Sequence, residues 1–138
     1  MQFKKFKARR VELKKANRKE IEEFNQQINT YKDVKDANFI SNNPTDDFIT
    51  IKEETGMQIG LIKVRQVNDE SASIDISIPN EAWKYRYGTE AVHQFVKCCK
   101  QRELFKKLYM QENNSIIQAY RRERPELFKN ENYIEIYE

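Results

Sequence analysis

Gly88 and Thr89 follow a strand-like run, Ile74 to Ile78, and stand where an apolar helical pattern begins. That arrangement suits a phosphate or pyrophosphate. A helix start presents backbone N–H groups without helical partners and the positive end of the helix dipole, and glycine allows close approach of backbone to ligand. Cys98 and Cys99 are adjacent. On a helix they point about 100° apart, which disfavours a mutual bridge, and they lack metal-ligand spacing. They read as small apolar side chains on a buried face. His93 is the single histidine, so no metal centre is expected. Between Lys4 and Lys19 run nine Lys and Arg residues with Glu12 as the sole acid. Such a run reads first as a solvated face and second as a contact for an acidic protein or nucleic acid; nucleic-acid binding is not the expected role.

These residues must be positioned by a small fold. The chain has 138 residues, 38% hydrophobic, 34% charged and 12% aromatic, with a net charge of +3. This fits one globular domain over 1–138 with a compact core. No apolar run approaches the roughly 20 residues of a bilayer span. The opening Met1-Gln2-Phe3-Lys4-Lys5-Phe6-Lys7 lacks the apolar stretch of a secretory signal, so the expected compartment is the cytoplasm and no membrane partner is expected.

Alternation predicts a first strand over residues 3 to 10, where Phe6 and Ala8 are interleaved with Lys5, Lys7 and Arg9. Asn17 and Glu20 have capping-box spacing, and Ile21, Phe24, Ile28 and Tyr31 continue as a helical stripe. Lys32 to Asp47, rich in Asp and Asn and including Pro44, predicts a loop or short helix. Three strands then form an antiparallel meander: Phe48 to Glu53, Met57 to Val67 and Ser73 to Ile78, with turns at Glu54-Thr55-Gly56 and Asn68 to Ser71. A helix is predicted over Thr89 to Arg102, a strand over Leu104 to Met110, a helix through Ile116 to Tyr120 ended by Pro125, and a closing strand over Tyr133 to Tyr137. The fold class is α+β with a mixed sheet.

Ile59-Gly60-Leu61-Ile62, the Ile74 to Ile78 strand, Pro79 and Tyr87-Gly88-Thr89-Glu90-Ala91 together resemble the central strands and cofactor loop of the GNAT superfamily of N-acetyltransferases. The family's loop reads Gln or Arg, two variable residues, Gly, one variable residue, then Gly or Ala. Here Trp83, Arg86 and Gly88 hold those three places. A second segment agrees, since Asn113 precedes Tyr120 by the family's spacing.

The resemblance implies a mostly antiparallel twisted sheet flanked by helices, and acetyl-coenzyme A (acetyl-CoA) as co-substrate. It further implies a primary amine, small or on a peptide or protein, attacking the thioester directly without metal. Backbone at Ile76 and Ile78 would hold the acetyl carbonyl and pantetheine. N–H groups of Tyr85, Arg86, Tyr87, Gly88 and Thr89 would hold the pyrophosphate, with the Arg86 guanidinium as an additional clamp. Asn113 would help bind coenzyme A, and Tyr120 would protonate the leaving thiolate. Asp75 ranks first as general base and Glu53 second, with a water chain as the third possibility. The alternative is a non-catalytic binding module that keeps the fold while Trp83 and Arg86 have abolished cofactor use, its basic N-terminal segment serving an acidic partner or nucleic acid. Monomer and homodimer stay open.

Overall fold

The computed structural model describes residues 1–8, 10–32, 38–40, 43–128 and 133–136. Parts of the expected Lys32 to Asp47 loop, and the Tyr137 end of the closing strand, lie outside the described residues. The chain order is β1 (Phe6–Lys7), β2 (Val11–Lys15), α1 (Arg18–Tyr31), β3 (Asp46–Glu53), β4 (Gln58–Asn68), β5 (Ser71–Ser77), α2 (Glu81–Arg102), β6 (Lys107–Met110), α3 (Ser115–Glu123), a 3-10 turn (Pro125–Leu127) and β7 (Tyr133–Glu135). Among the described residues the strands lie in sequence order, β1 to β7, antiparallel throughout except for β5 and β6. A parallel pair requires a crossover, and α2 supplies it. The α+β mixed sheet read from the sequence is the architecture observed.

Residues 3 to 10 do not form one strand. Phe6 and Lys7 pair back onto Leu13 and Glu12, and the Ala8 N–H donates to the Val11 carbonyl at 2.9 Å. The alternation of buried Val11 and Leu13 with Glu12 and Lys14 is the signal for the additional strand β2. The basic run is correspondingly compensated: Lys5 meets Glu12, Arg10 meets Glu90, Lys14 meets Glu20 and Lys15 meets Asp47.

Alternation along β4 puts neighbouring side chains into different cores. Leu61 packs with Phe24, Ile28 and Phe39 beneath α1, whereas Ile62 joins Ile74, Ile76, Val92, Phe95 and Ile117 beneath α2 and α3. Helices thus cover the sheet on both faces. At the β3–β4 turn, Gly56 takes φ +90°, a region that other residues adopt at a cost. Gly60 lies where β5 leaves the sheet, and a Cβ there would sit 2.2 Å from the Ser77 carbonyl oxygen.

The Asn17–Glu20 capping box forms as its spacing predicts: Asn17 Oδ1 accepts from the Glu20 N–H at 2.9 Å and Glu20 Oε1 accepts from the Asn17 N–H at 3.0 Å. The other Glu20 oxygen meets Lys14 at 3.1 Å and Lys52 at 3.0 Å, tying α1 to β2 and β3. Burial acts to raise the Glu20 pKa, but the Asn17 N–H, Lys52 and Lys14 outweigh it and hold the carboxyl below its ordinary value. A depressed folded pKa contributes stability that is complete above the unfolded value and is lost as pH falls through the folded one. Glu20→Gln is therefore expected to cost about 2 kcal/mol at neutral pH and to flatten the fall in stability below the ordinary glutamate range. Urea denaturation at a series of pH values checks both, and an unchanged acid limb in the variant would refute the assignment.

Candidate active site

The site arises where the parallel ladder stops. β5 and β6 pair from Ser71/Lys107 to Ile74/Met110, and the last link is the Gln111 N–H on the Ile74 carbonyl at 3.3 Å. Beyond it β5 continues against β4 through Asp75, Ile76 and Ser77, while the chain after β6 turns away into α3. The outer edge of β5 is thereby released into a wedge of about 400 Å³, bounded by Asp75 and Ile76 on β5, Lys84 on α2, and Gln111 with Asn113 to Ile116 at the β6–α3 corner.

Asn114 spans the wedge at its base. Its Oδ1 caps α3 by accepting from the Ile116 and Ile117 N–H groups at 2.9 and 3.2 Å. Its Nδ2 donates to the Ile76 carbonyl at 2.6 Å and to Asp75 Oδ1 at 2.7 Å. The same Asp75 oxygen accepts from the Ile76 N–H at 2.9 Å. The backbone donor and acceptor of Ile76 thus have side-chain partners where the sheet partner has departed, as buried backbone groups require.

A second cavity of about 240 Å³ is lined by Lys63, Arg65, Ser73, Ile74, Asp75 and Gln111. Asp75 and Gln111 border both cavities.

The helix that carries the expected phosphate loop begins earlier than its sequence pattern suggests. α2 starts at Glu81 with Asn80 as N-cap, the Asn80 side chain accepting from the Ala82 N–H at 2.9 Å. Tyr85, Arg86, Tyr87, Gly88 and Thr89 are interior helical residues, so their N–H groups point to carbonyls one turn back, and the donors without helical partners belong to the first turn. The expected pyrophosphate cradle at Tyr85 to Thr89 is corrected on that ground. Asn80 after the strand-ending Pro79, followed by Glu81, was the cap signal available in the sequence.

Gly88 has a packing reason instead: a Cβ there would lie 2.9 Å from Ile116 Cγ2, so the glycine lets α2 and α3 approach. Tyr85 is exposed, and Arg86 lies 5.3 Å from the ring of buried Tyr87. Arg10 lies on the same ring at 4.9 Å, donates to the Arg86 carbonyl at 3.3 Å and pairs with Glu90 at 3.1 Å.

Of the other sequence-predicted residues, Asp75, Ile76 and Asn113 meet at the wedge. Asn114, one residue on, makes the bonds at its base. Ile78 is fully buried beside Gly60. Glu53 borders neither cavity and closes the β3–β4 turn, accepting from the Thr55 hydroxyl and from the N–H groups of Thr55 and Met57. The Thr55 hydroxyl leads in holding its carboxyl below the usual range, with the Met57 and Thr55 N–H groups and Arg86 assisting against burial.

Tyr120 is enclosed in the core, its hydroxyl 2.9 Å from His93 Nδ1 and its ring edge-on to Phe128. Burial pushes that hydroxyl's pKa up, and burial with Arg124 and Lys97 pushes the His93 pKa down. The pair is therefore neutral at neutral pH, and Tyr120 is not among the residues bordering the wedge. His93 lies on α2, 27 residues from Tyr120, a pairing invisible in residue spacing. Among the described residues there is no cluster of three His, Cys, Asp or Glu suited to a metal, and no helix is long and apolar enough to cross a membrane.

The described strands thus form a mixed sheet that splays beside the parallel β5–β6 pair, with α2 as the crossover between them. The chain belongs to the GNAT family: the acetyltransferase (GNAT) domain model matches residues 4–121. No curated protein sequence matches it significantly. Among solved structures it is similar to a putative ribosomal-protein-serine acetyltransferase from Vibrio cholerae (TM-score 0.64, 18% identity, covering 86% of this chain and 80% of that one). It is also similar to the dodecameric spermidine N-acetyltransferase from Vibrio cholerae in an intermediate state (0.65, 11%, 91% and 94%). A third is the ribosomal L7/L12 alpha-N-protein acetyltransferase RimL in complex with coenzyme A (0.66, 10%, 84% and 79%). At these identities the likeness establishes the fold.

Proposed function

We propose that this protein is an N-acetyltransferase that takes acetyl-CoA into the β5–β6 wedge and passes the acetyl group to a primary amine. The observation that carries the proposal is the end of the ladder at Ile74/Met110, which opens a cavity beside the Ile76 backbone and the Asp75 carboxylate. Family membership and the coenzyme A complex of RimL support the donor.

The wedge residues fit the pantetheine arm, whose amides can take over the backbone partners that Asp75 and Asn114 now provide. Lys84, three residues into α2, makes no ion pair among the described residues and borders the wedge. It is the cation placed for phosphate, replacing the Tyr85 to Thr89 cradle.

Acetyl-CoA supplies an activated acetyl thioester; the chain orients it and manages protons. The acceptor's ammonium first gives one proton to solvent, and the uncharged nitrogen then bonds to the acetyl carbon as the carbon–sulfur bond breaks. The proton released by nitrogen goes to Asp75, and the thiolate is protonated from solvent in the open wedge. Asn114 is a positioning residue for Asp75, while Tyr120 holds α3 to α2 through His93.

Isothermal calorimetry with acetyl-CoA and a thiol-release assay over an amine panel test the proposal. Binding together with amine-dependent release is expected, and no binding at millimolar acetyl-CoA would overturn it. The helical course of Tyr85 to Thr89 favours a second reading, a GNAT-fold module that does without the cofactor, and that null result is what it requires.

A further inference from the structure

The second cavity carries opposite charges that do not neutralise each other. Lys63 and Asp75 are register partners on β4 and β5 and both border the cavity, yet among the described residues they form no ion pair. The Lys63 ammonium turns away, donating to the Phe39 carbonyl at 3.0 Å and resting 4.7 Å from the Phe39 ring. Those contacts orient the ammonium without neutralising it. Its neighbour Arg65, which also borders the cavity, is neutralised by Asp46, at 2.6 and 2.9 Å through Nε and Nη2. Asp75 is held at Oδ1 by Asn114 and the Ile76 N–H, leaving Oδ2 for a ligand. Ser73 and Gln111, linked at 3.3 Å, complete a neutral polar wall.

A cavity of about 240 Å³ lined by a lysine, an arginine and a carboxylate shared with the donor wedge matches a small zwitterion. We propose that the acceptor is an amino acid or a similarly small amino-carboxylate, its carboxylate held by Lys63 with Arg65 assisting, and its amine delivered to Asp75 at the wedge. The proposal rests on the acetyl-CoA reading and adds the acceptor's chemical class. Polyamines, which have no group for Lys63 and carry charge of the same sign, are excluded by the same geometry.

The test measures thiol release from acetyl-CoA with the proteinogenic amino acids, with L-alaninamide as the carboxylate-free control for L-alanine, and with spermidine. Amino acids are expected to outperform both controls. Lys63→Met is expected to raise KM for the best amino acid by about tenfold or more, to raise KM for L-alaninamide far less, and to be substantially rescued by Lys63→Arg. Equal or better transfer to L-alaninamide or spermidine would overturn the inference while keeping the donor reading. So would an equal loss with both classes of acceptor in Lys63→Met, because that pattern reports damage to the Phe39 segment. Calorimetric binding of acetyl-CoA without release to any amino acid would also overturn it. Absence of acetyl-CoA binding would remove the donor reading itself and this inference with it.

Discussion

Gly60→Ala is expected to destabilise the protein by about 3 kcal/mol, a cost at the upper end of ordinary overpacking. The added methyl would stand 2.2 Å from the Ser77 carbonyl oxygen, 2.8 Å from Ile78 Cγ1 and 3.2 Å from Ile78 Cα. Two of these three atoms are backbone, so no rotamer change relieves them. Relief requires β5 to lift from β4 at its end, and that movement also shifts the Ile78 to Asn80 segment that aims α2. Gly88→Ala is the matched control: its methyl meets only the side chain of Ile116, at 2.9 to 3.3 Å, and that side chain can shift, so a cost of about 1 kcal/mol is expected. Urea denaturation of the two variants reads the difference, and equal midpoints would show that the close approach at Gly60 is not rigid.

Asn114→Ala is expected to lower stability by about 2–3 kcal/mol and acetyl transfer by about a hundredfold. Three functions meet in this side chain: the α3 cap, the bond to the Ile76 carbonyl and the bond to Asp75. Loss of a cap costs about 1 kcal/mol, and leaving the Ile76 carbonyl and Asp75 each short of a donor adds a comparable amount. The larger effect on rate follows because small misplacements of reacting groups are costly. Asn114→Ser separates the contributions. Serine caps a helix nearly as well but cannot reach across the wedge, so stability is expected to recover in part while transfer stays low. Recovery of both in the serine variant would place the role of Asn114 in capping alone.

Much of this architecture was legible because local rules and tertiary structure agree. Asn17 and Glu20 form their capping box, and the alternation of Ser73 to Ile78 corresponds to a strand with Ile74 and Ile76 in the core. The failures have physical causes. The additional strand β2 falls outside the expected first strand of residues 3 to 10, because Ala8, Arg9 and Arg10 include no Gly, Pro, Asn or Asp to mark a turn before Val11. The start of α2 was misplaced because Gly88 carries the expected punctuation of a helix start, whereas its glycine answers to Ile116 on another helix. Asn113 and Asn114 are chemically identical, and only the direction of the chain after β6 decides which one spans the wedge. The spacing that singled out Tyr120 carries no information about His93, which meets it through the packing of α2 on α3.

The parallel pairing of β5 with β6 has a consequence for the order of assembly. The β2 to β5 segment is built from antiparallel neighbours in sequence order, and β3–β4 and β4–β5 are joined by tight turns. β5 must instead wait for β6, which arrives only after the whole of α2. Contacts between distant segments form late because the chain entropy of closing them is lost before the contact repays it. The meander is therefore expected to zip up before the Ser71/Lys107 to Ile74/Met110 ladder closes, so that the wedge is the last feature to appear. Pulse-labelled amide exchange during refolding reads this sequence directly, through protection of the Ile62 amide before that of Gln111; simultaneous protection of the two would refute it. A folding intermediate of this chain would then be a sheet without a site.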